Sequence, residues 1–248
     1  MRLAGLFFIT LLALVFTTTA LAQGNIRESF ACNFNDGQNM DDLMSARDFY
    51  LEQAKKAGID PPVAFVWTPL KVADQAFDLL WFNNHADLAA FAMATDADVA
   101  SPEMAAVLER FNSVVDCTSS ISAHTMVYDG GEAPVTTPPA FIDAYACHFA
   151  SGMGVADLDD MWKHHRIALN GLGIFTDMAV YTSVPITSGP HSADIYIYGV
   201  HDTASAWAAR KAALASTDIG QSLGKHVNSV LDCDMALFHG QRIVSPVP

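Results

Sequence analysis

Residues 29–34 alternate, with large apolar side chains at Phe30, Cys32 and Phe34 and smaller or polar ones between them, the period-two pattern of a half-buried strand. From 41 to 56 the apolar positions Leu43, Ala46, Tyr50 and Ala54 recur at helical spacing, and Gly58 follows where a helix commonly closes. The stretches 63–67 and 76–82 are rich in β-branched and aromatic residues and predict two further strands. A second helical stretch spans 87–114, interrupted near Ser101-Pro102, and 118–128 supplies a last strand. The chain then runs through the same order again, with strand 143–149, helix 155–170, strands 178–183 and 193–199, helix 203–230 and strand 233–244.

The letters repeat as well as the pattern. Asn112-Ser113-Val114-Val115-Asp116-Cys117 returns as Asn228-Ser229-Val230-Leu231-Asp232-Cys233, five identities in six at an offset of 116. Cys32-Asn33-Phe34 falls on Cys147-His148-Phe149, Gly58 on Gly173, His85 on His201 and Phe91 on Trp207. Such a period is too long for a solenoid unit and suits duplication of a whole domain. The expected layout is a first repeat over 23–128, a Gly- and Pro-punctuated linker over 129–140, and a second repeat over 141–248.

A βαββαβ order is the ferredoxin-like arrangement, an antiparallel four-stranded sheet with both helices on one face. That leaves the other face bare, and a second copy in the same chain can cover it. The expected architecture is therefore α+β, two tandem ferredoxin-like repeats with sheets packed face to face as a barrel and helices outside.

The N-terminus changes the picture of where this fold works. Arg2, an apolar run from Leu3 to Phe16 and Ala20-Leu21-Ala22 describe a secretory signal over 1–22, and the run is too short to anchor in a bilayer. Its removal takes away one base and no acid, so the mature chain is one charge more negative than the full-length −14. A chain this acidic repels nucleic acid and anionic membranes. The expected locale is the periplasm or the cell exterior, with no membrane attachment after cleavage and the oligomeric state left open.

The four cysteines, Cys32, Cys117, Cys147 and Cys233, suit an oxidising compartment. Of the three possible pairings the repeat selects Cys32 with Cys117 and Cys147 with Cys233. The topology agrees, because the first and last strands of this fold are antiparallel neighbours.

If Phe30, Cys32 and Phe34 face the helices, then Asn33 and its counterpart His148 face the space between the sheets. By the same alternation Asp78, Leu80 and Phe82 share that side with Asp194, Tyr196 and Tyr198, as do Ser120, Ser122 and His124 with Asp234, Ala236 and Phe238. This predicts an apolar, aromatic interior with a few polar groups, the makeup of a small-molecule pocket. The candidate catalytic residues are His148, Tyr196 and Tyr198; the candidate ligand contacts are Asn33, Asp78, Phe82, His124 and Asp194. His85 and His201 read as turn or cap elements after the third strand. Gly220-Gln221-Ser222-Leu223-Gly224 matches the nucleophile-elbow spacing but lies on a helical pattern, with too little chain behind it for an acid and a base. No zinc spacing or dinucleotide fingerprint is present, and neither a metal nor a cofactor is assigned.

The segments 80–91 and 196–207, Leu-Trp-Phe-Asn-Asn-His-Ala-Asp and Tyr-Ile-Tyr-Gly-Val-His-Asp-Thr at their starts, resemble the third strand and following helix of antibiotic-biosynthesis-monooxygenase-like and NIPSNAP-like domains of the dimeric α/β-barrel superfamily. The resemblance implies an inter-sheet cavity for small aromatic substrates, without a metal in the monooxygenase branch. It also brings in haem, which some relatives carry, with His148 or His124 as conceivable axial ligands. Two functions follow as expectations. One is an exported enzyme, cofactor-free and monooxygenase-like or isomerase-like, acting on a small apolar or aromatic molecule. The other is a non-catalytic binding or structural protein using the same cavity.

Overall fold

A computed structural model describes residues 25–73, 76–131, 139–189 and 192–245 of the chain. The expected signal at 1–22 and residues 132–138 of the expected linker lie outside the described residues. The first half comprises β1 (Asn25–Phe34), α1 (Met40–Ala57), β2 (Val63–Lys71), β3 (Leu79–His85), α2 (Leu88–Ala100), α3 (Pro102–Asn112) and β4 (Val115–Asp129). The second comprises β5 (Ala140–Phe149), α4 (Val155–Leu172), β6 (Met178–Pro185), β7 (Ile195–His201), α5 (Ala204–Ser216), α6 (Asp218–Val230) and β8 (Leu231–Val244).

The helix ends are written locally. Asn39 accepts from the Asp41 amide while Asp42 reaches back to the Asn39 amide, and the two acids of this first turn face the two lysines of the last, Lys55 and Lys56. Gly58 and its counterpart Gly173 both close their helices in the left-handed region, at φ 68° and 63°, where a side chain is strained. Ser101 caps α3 with Pro102 behind it, as the sequence suggests. In the second half the long helix expected over 203–230 is broken too, at Thr217, whose hydroxyl accepts from the Gly220 amide. That break was hidden because no proline marks it.

The sheet closes on itself in the order β1-β3-β2-β8-β5-β7-β6-β4, every described neighbour pair antiparallel. Within each half the order is that of a ferredoxin-like sheet. The sheets do more than face each other, since their edges are hydrogen-bonded along β2–β8 and β4–β6, which removes all four free edges. Register shifts occur at these two seams, near Phe65, Pro69 and Met126, whereas pairing inside each half is unbroken. Extra residues at the seams bend the strands into a closed cylinder.

Each half keeps its own core between sheet and helices. In the first, Cys32, Leu43, Ala46, Val66, Leu79 and Val114 pack together; in the second, Cys147, Met161, Leu169, Ile195 and Leu231 do so. A separate cluster of Trp67, Phe82, Ile142, Tyr198 and Phe238 lies inside the barrel and draws on both halves. Both disulfides form as the repeat selects, Cys32 with Cys117 and Cys147 with Cys233, on the helix-facing side of paired strands.

Two sequence expectations need correction. The third strand of each half starts later than the letters suggest, at Leu79 and Ile195 instead of 76 and 193. Asp78 and Asp194 stand just before it, and their carboxylates accept from the Phe34 and Phe149 amides at 2.9 and 3.0 Å, ending β1 and β5 instead of extending the ladder. His85 and His201 are not turn elements. They are the last residues of β3 and β7, buried on the helix-facing side.

Candidate ligand-binding site

Alternation along the strands decides what enters the barrel, and closure decides at what depth. Arg27, Ser29 and Ala31 of β1 point inward, as do Leu80 and Phe82 of β3 and Tyr196 and Tyr198 of β7. They line a cavity of about 1050 Å³ that opens at the barrel end bearing the β2–β3 and β6–β7 connections. Its walls are apolar toward β5 and β8, at Ala144, Ala236 and Phe238, and rich in hydroxyls toward β4 and β6, at Ser120, Ser122 and Ser183.

The floor is aromatic and carries one buried charge. Arg27 is 5% exposed, and its guanidinium carbon lies 4.7 Å from the ring centre of Phe82, 5.0 Å from Tyr198 and 5.9 Å from Trp67. Nε donates to Asn84 Oδ1 at 2.9 Å, while Nη1 has no partner among the described residues. Burial lowers the Arg27 pKa from its ordinary value, and the nearby tyrosines Tyr198 and Tyr181 pull the other way.

Beneath this layer the Tyr198 hydroxyl lies 3.0 Å from His124 Nε2, and His124 Nδ1 lies 3.2 Å from the Thr182 carbonyl and 3.1 Å from Ser183 Oγ. The carbonyl can only accept, so Nδ1 carries the proton and Nε2 accepts from Tyr198. Burial, reinforced by the charge on Arg27, pushes His124 down to about 2, so the ring stays neutral. Tyr198 is raised, chiefly by its own burial, and stays a phenol. His124, Tyr181 and Tyr198 stack with nearly parallel rings.

Of the residues singled out from sequence, Phe82, Tyr196 and Tyr198 line the cavity, and His124 sits one layer below its floor. Asn33, Asp78, His148 and Asp194 do not line it. They lie exposed at the rim, where Asn33 donates to the Ala76 carbonyl and His148 Nδ1 stands 3.4 Å from Asp194. The strand parity of these four is right, but their depth is not, because β1 and β5 end there. Arg27 escaped the sequence reading although it shares the parity of Asn33, since the first strand was expected to start at 29.

As haem ligands the two histidines do not fit. Both ring nitrogens of His124 are engaged and the ring is packed beside Tyr181 and Tyr198, while His148 lies outside the cavity. Among the described residues no cluster of three or more histidine, cysteine or carboxylate side chains could hold a metal ion.

A second polar cluster lies outside the barrel, under α5. Asp143 accepts from His201 Nε2 at 2.9 Å, Lys211 Nζ at 2.8 Å, the Tyr145 hydroxyl at 2.9 Å and Trp207 Nε1 at 3.2 Å. Burial alone would raise its pKa, but the His201 hydrogen bond and the Lys211 charge win and hold it at about 2. Gly199 is bare for a reason here, because a Cβ would stand 2.4 Å from Asp143 Oδ1. A carboxylate with four donors has no capacity left for a substrate, and the cluster fastens α5 to β5 and β7.

The fold defined by these observations is the dimeric α/β barrel, with both halves supplied by one chain. No protein-family model matches the sequence, and no curated protein does. Solved structures do resemble it. A Fusobacterium nucleatum protein with a provisional monooxygenase assignment has TM-score 0.55 at 8% identity, covering 90% of this chain and 94% of its own. A chlorite dismutase variant from Candidatus Nitrospira defluvii has TM-score 0.53 at 9% identity, covering 89% and 92%. An anthrone oxidase-like protein has TM-score 0.50 at 10% identity, covering 91% and 95%. At such identities the likeness establishes the fold.

Proposed function

We propose that this is an exported small-molecule-binding protein that takes a small apolar or aromatic ligand into the barrel. The observation that carries the reading is the open cavity of about 1050 Å³ over the floor of Trp67, Phe82 and Tyr198. A barrel interior serving packing alone would be filled along its whole length. The volume is at the upper end of the range for drug-sized ligands. Export is supported by the two disulfides. The description of one structural neighbour as anthrone oxidase-like agrees with an aromatic ligand.

Trp67 lines the cavity, so its fluorescence reports occupancy. Titration of the mature protein with naphthalene-type compounds is expected to give saturable quenching that a Trp67→Phe variant loses. Native mass spectrometry of the freshly purified protein is expected to show a retained small molecule. Absence of both signals would refute the reading.

A second reading, enzymatic proton transfer, is favoured by the Tyr198–His124 contact at 3.0 Å. In it the Tyr198 phenol turns from His124 Nε2 to give its proton to a basic ligand atom at the floor, the phenolate so formed is held by the adjacent Arg27 guanidinium, and the proton returns to it from the product. Loss of turnover in Tyr198→Phe with binding retained would separate this reading from binding alone.

A further inference from the structure

Arg27 occupies a position that the repeat shows can be apolar. On β1 it pairs with Asn84 of β3 and Ser122 of β4; on β5 the residue in the same register is Ile142, paired with Val200 of β7 and Phe238 of β8. Three polar residues on one wall of the barrel thus stand where three apolar ones stand on the other. The fold itself requires no charge there.

The charge is also uncompensated. Among the described residues Arg27 forms no ion pair, its Nη1 is buried without a partner, and the groups around the guanidinium are neutral, namely Asn84, the Tyr198 hydroxyl and three aromatic rings. A buried guanidinium lacking a counter-ion is costly, and cation–π contacts offset only part of that cost. Arg27 is among the residues that line the cavity open to solvent, so a small turn of the guanidinium brings its buried Nη1 to an incoming anion.

We propose that the cavity is specific for an aromatic monocarboxylate, bound with its carboxylate against Arg27 Nη1 and its ring between the aromatic floor and the apolar wall of Ala144, Ala236 and Phe238. This rests on the cavity being a ligand site, as proposed above, and adds the ligand's charge and orientation. A guanidinium N–H to a carboxylate is a charge-assisted hydrogen bond, stronger than its neutral equivalent. Ser122 and Ser183 belong to the lining of the same cavity.

The test compares 2-naphthoate with its uncharged isostere 2-naphthamide on the mature protein, by calorimetry and Trp67 fluorescence. The acid is expected to bind about tenfold or more tighter than the amide. Arg27→Met, and Arg27→Ile as at position 142, are expected to abolish that preference while keeping amide binding. Naphthoate is expected to raise the melting temperature of the wild type more than naphthamide does, and that of these variants no more than naphthamide does. Equal affinity of acid and amide for the wild type would overturn the charge assignment and leave the cavity reading standing. Binding of neither compound would overturn both. Persistence of the acid preference in folded Arg27→Met would show that another group selects the anion, which also overturns the proposal. The wild-type comparison decides the matter even if both variants fail to fold.

Discussion

Tyr198 and His124, from β7 of one half and β4 of the other, meet below the cavity floor with the tyrosine hydroxyl 3.0 Å from the imidazole Nε2. The contact ties the two repeats together through polar groups in an otherwise apolar interior. Tyr198→Phe leaves a buried imidazole acceptor with no donor, which costs about 1–3 kcal/mol. Urea unfolding of the two proteins is expected to show that loss.

Stability is expected to fall as the solution is acidified below pH 6.5. His124 is held at about 2, by burial first and Arg27 second, and His165 at about 4, by burial first and then Lys211 and Arg166. The unfolded chain takes up protons at both residues near 6.5 whereas the folded one does not. Their contribution is complete above that pH and is lost as pH drops toward the folded values, at about 1.4 kcal/mol per group and pH unit. His124→Gln is expected to flatten the slope of unfolding free energy between pH 6 and 4 by one proton's worth. Asp143, depressed to about 2, adds a further loss below the ordinary carboxylate range.

The two halves should respond differently to loss of the equivalent carboxylate. Asp143→Asn disrupts a buried acceptor of four donors and is expected to cost about 3–5 kcal/mol. Glu28 holds the matching place in the first half, but His85 Nε2 is 4.0 Å away and the carboxylate is partly exposed. Glu28→Gln is expected to cost less than about 1 kcal/mol. Similar losses in thermal melts of the two variants would contradict this account of the clusters.

Each disulfide closes a long loop, with 85 residues of separation in the first half and 86 in the second. Replacing either pair with serines is expected to lower stability by roughly 4–5 kcal/mol in the chain-entropy description. Because the loops are nearly equal in length, the two losses should be similar, measured as free energies of urea unfolding with the m-value fitted for each variant.

Gly240 is the counterpart of His124 in the second half, paired with Ala140 as His124 is with Asn25, and a Cβ there would stand 2.3 Å from Ile142 Cδ1 and 2.9 Å from Trp67 Cδ1. Gly240→Ala is expected to displace the Trp67 ring, at a cost of about 1–3 kcal/mol, and to weaken ligand binding because that ring forms part of the floor. Paired unfolding and fluorescence titrations would check both effects.

Periodicity along the chain was enough to establish the strand order and the α+β class, and the repeated letters the cysteine partners, but periodicity ran α5 and α6 together. It also established which side of each strand Phe82, Tyr196, Tyr198 and His124 occupy, since side-chain parity is a local property of an extended backbone. Depth within the barrel is not local. It depends on where strands stop and what crosses from the opposite wall, so Asn33, Asp78, His148 and Asp194 emerged at the rim. Only the closed structure, made by β2–β8 and β4–β6 pairing between residues far apart in sequence, buried Arg27 beneath an open cavity and brought Tyr198 onto His124. The cause is the hydrogen-bonding of sheet edges, which obeys the register of distant strands and leaves no mark in the spacing of neighbouring residues.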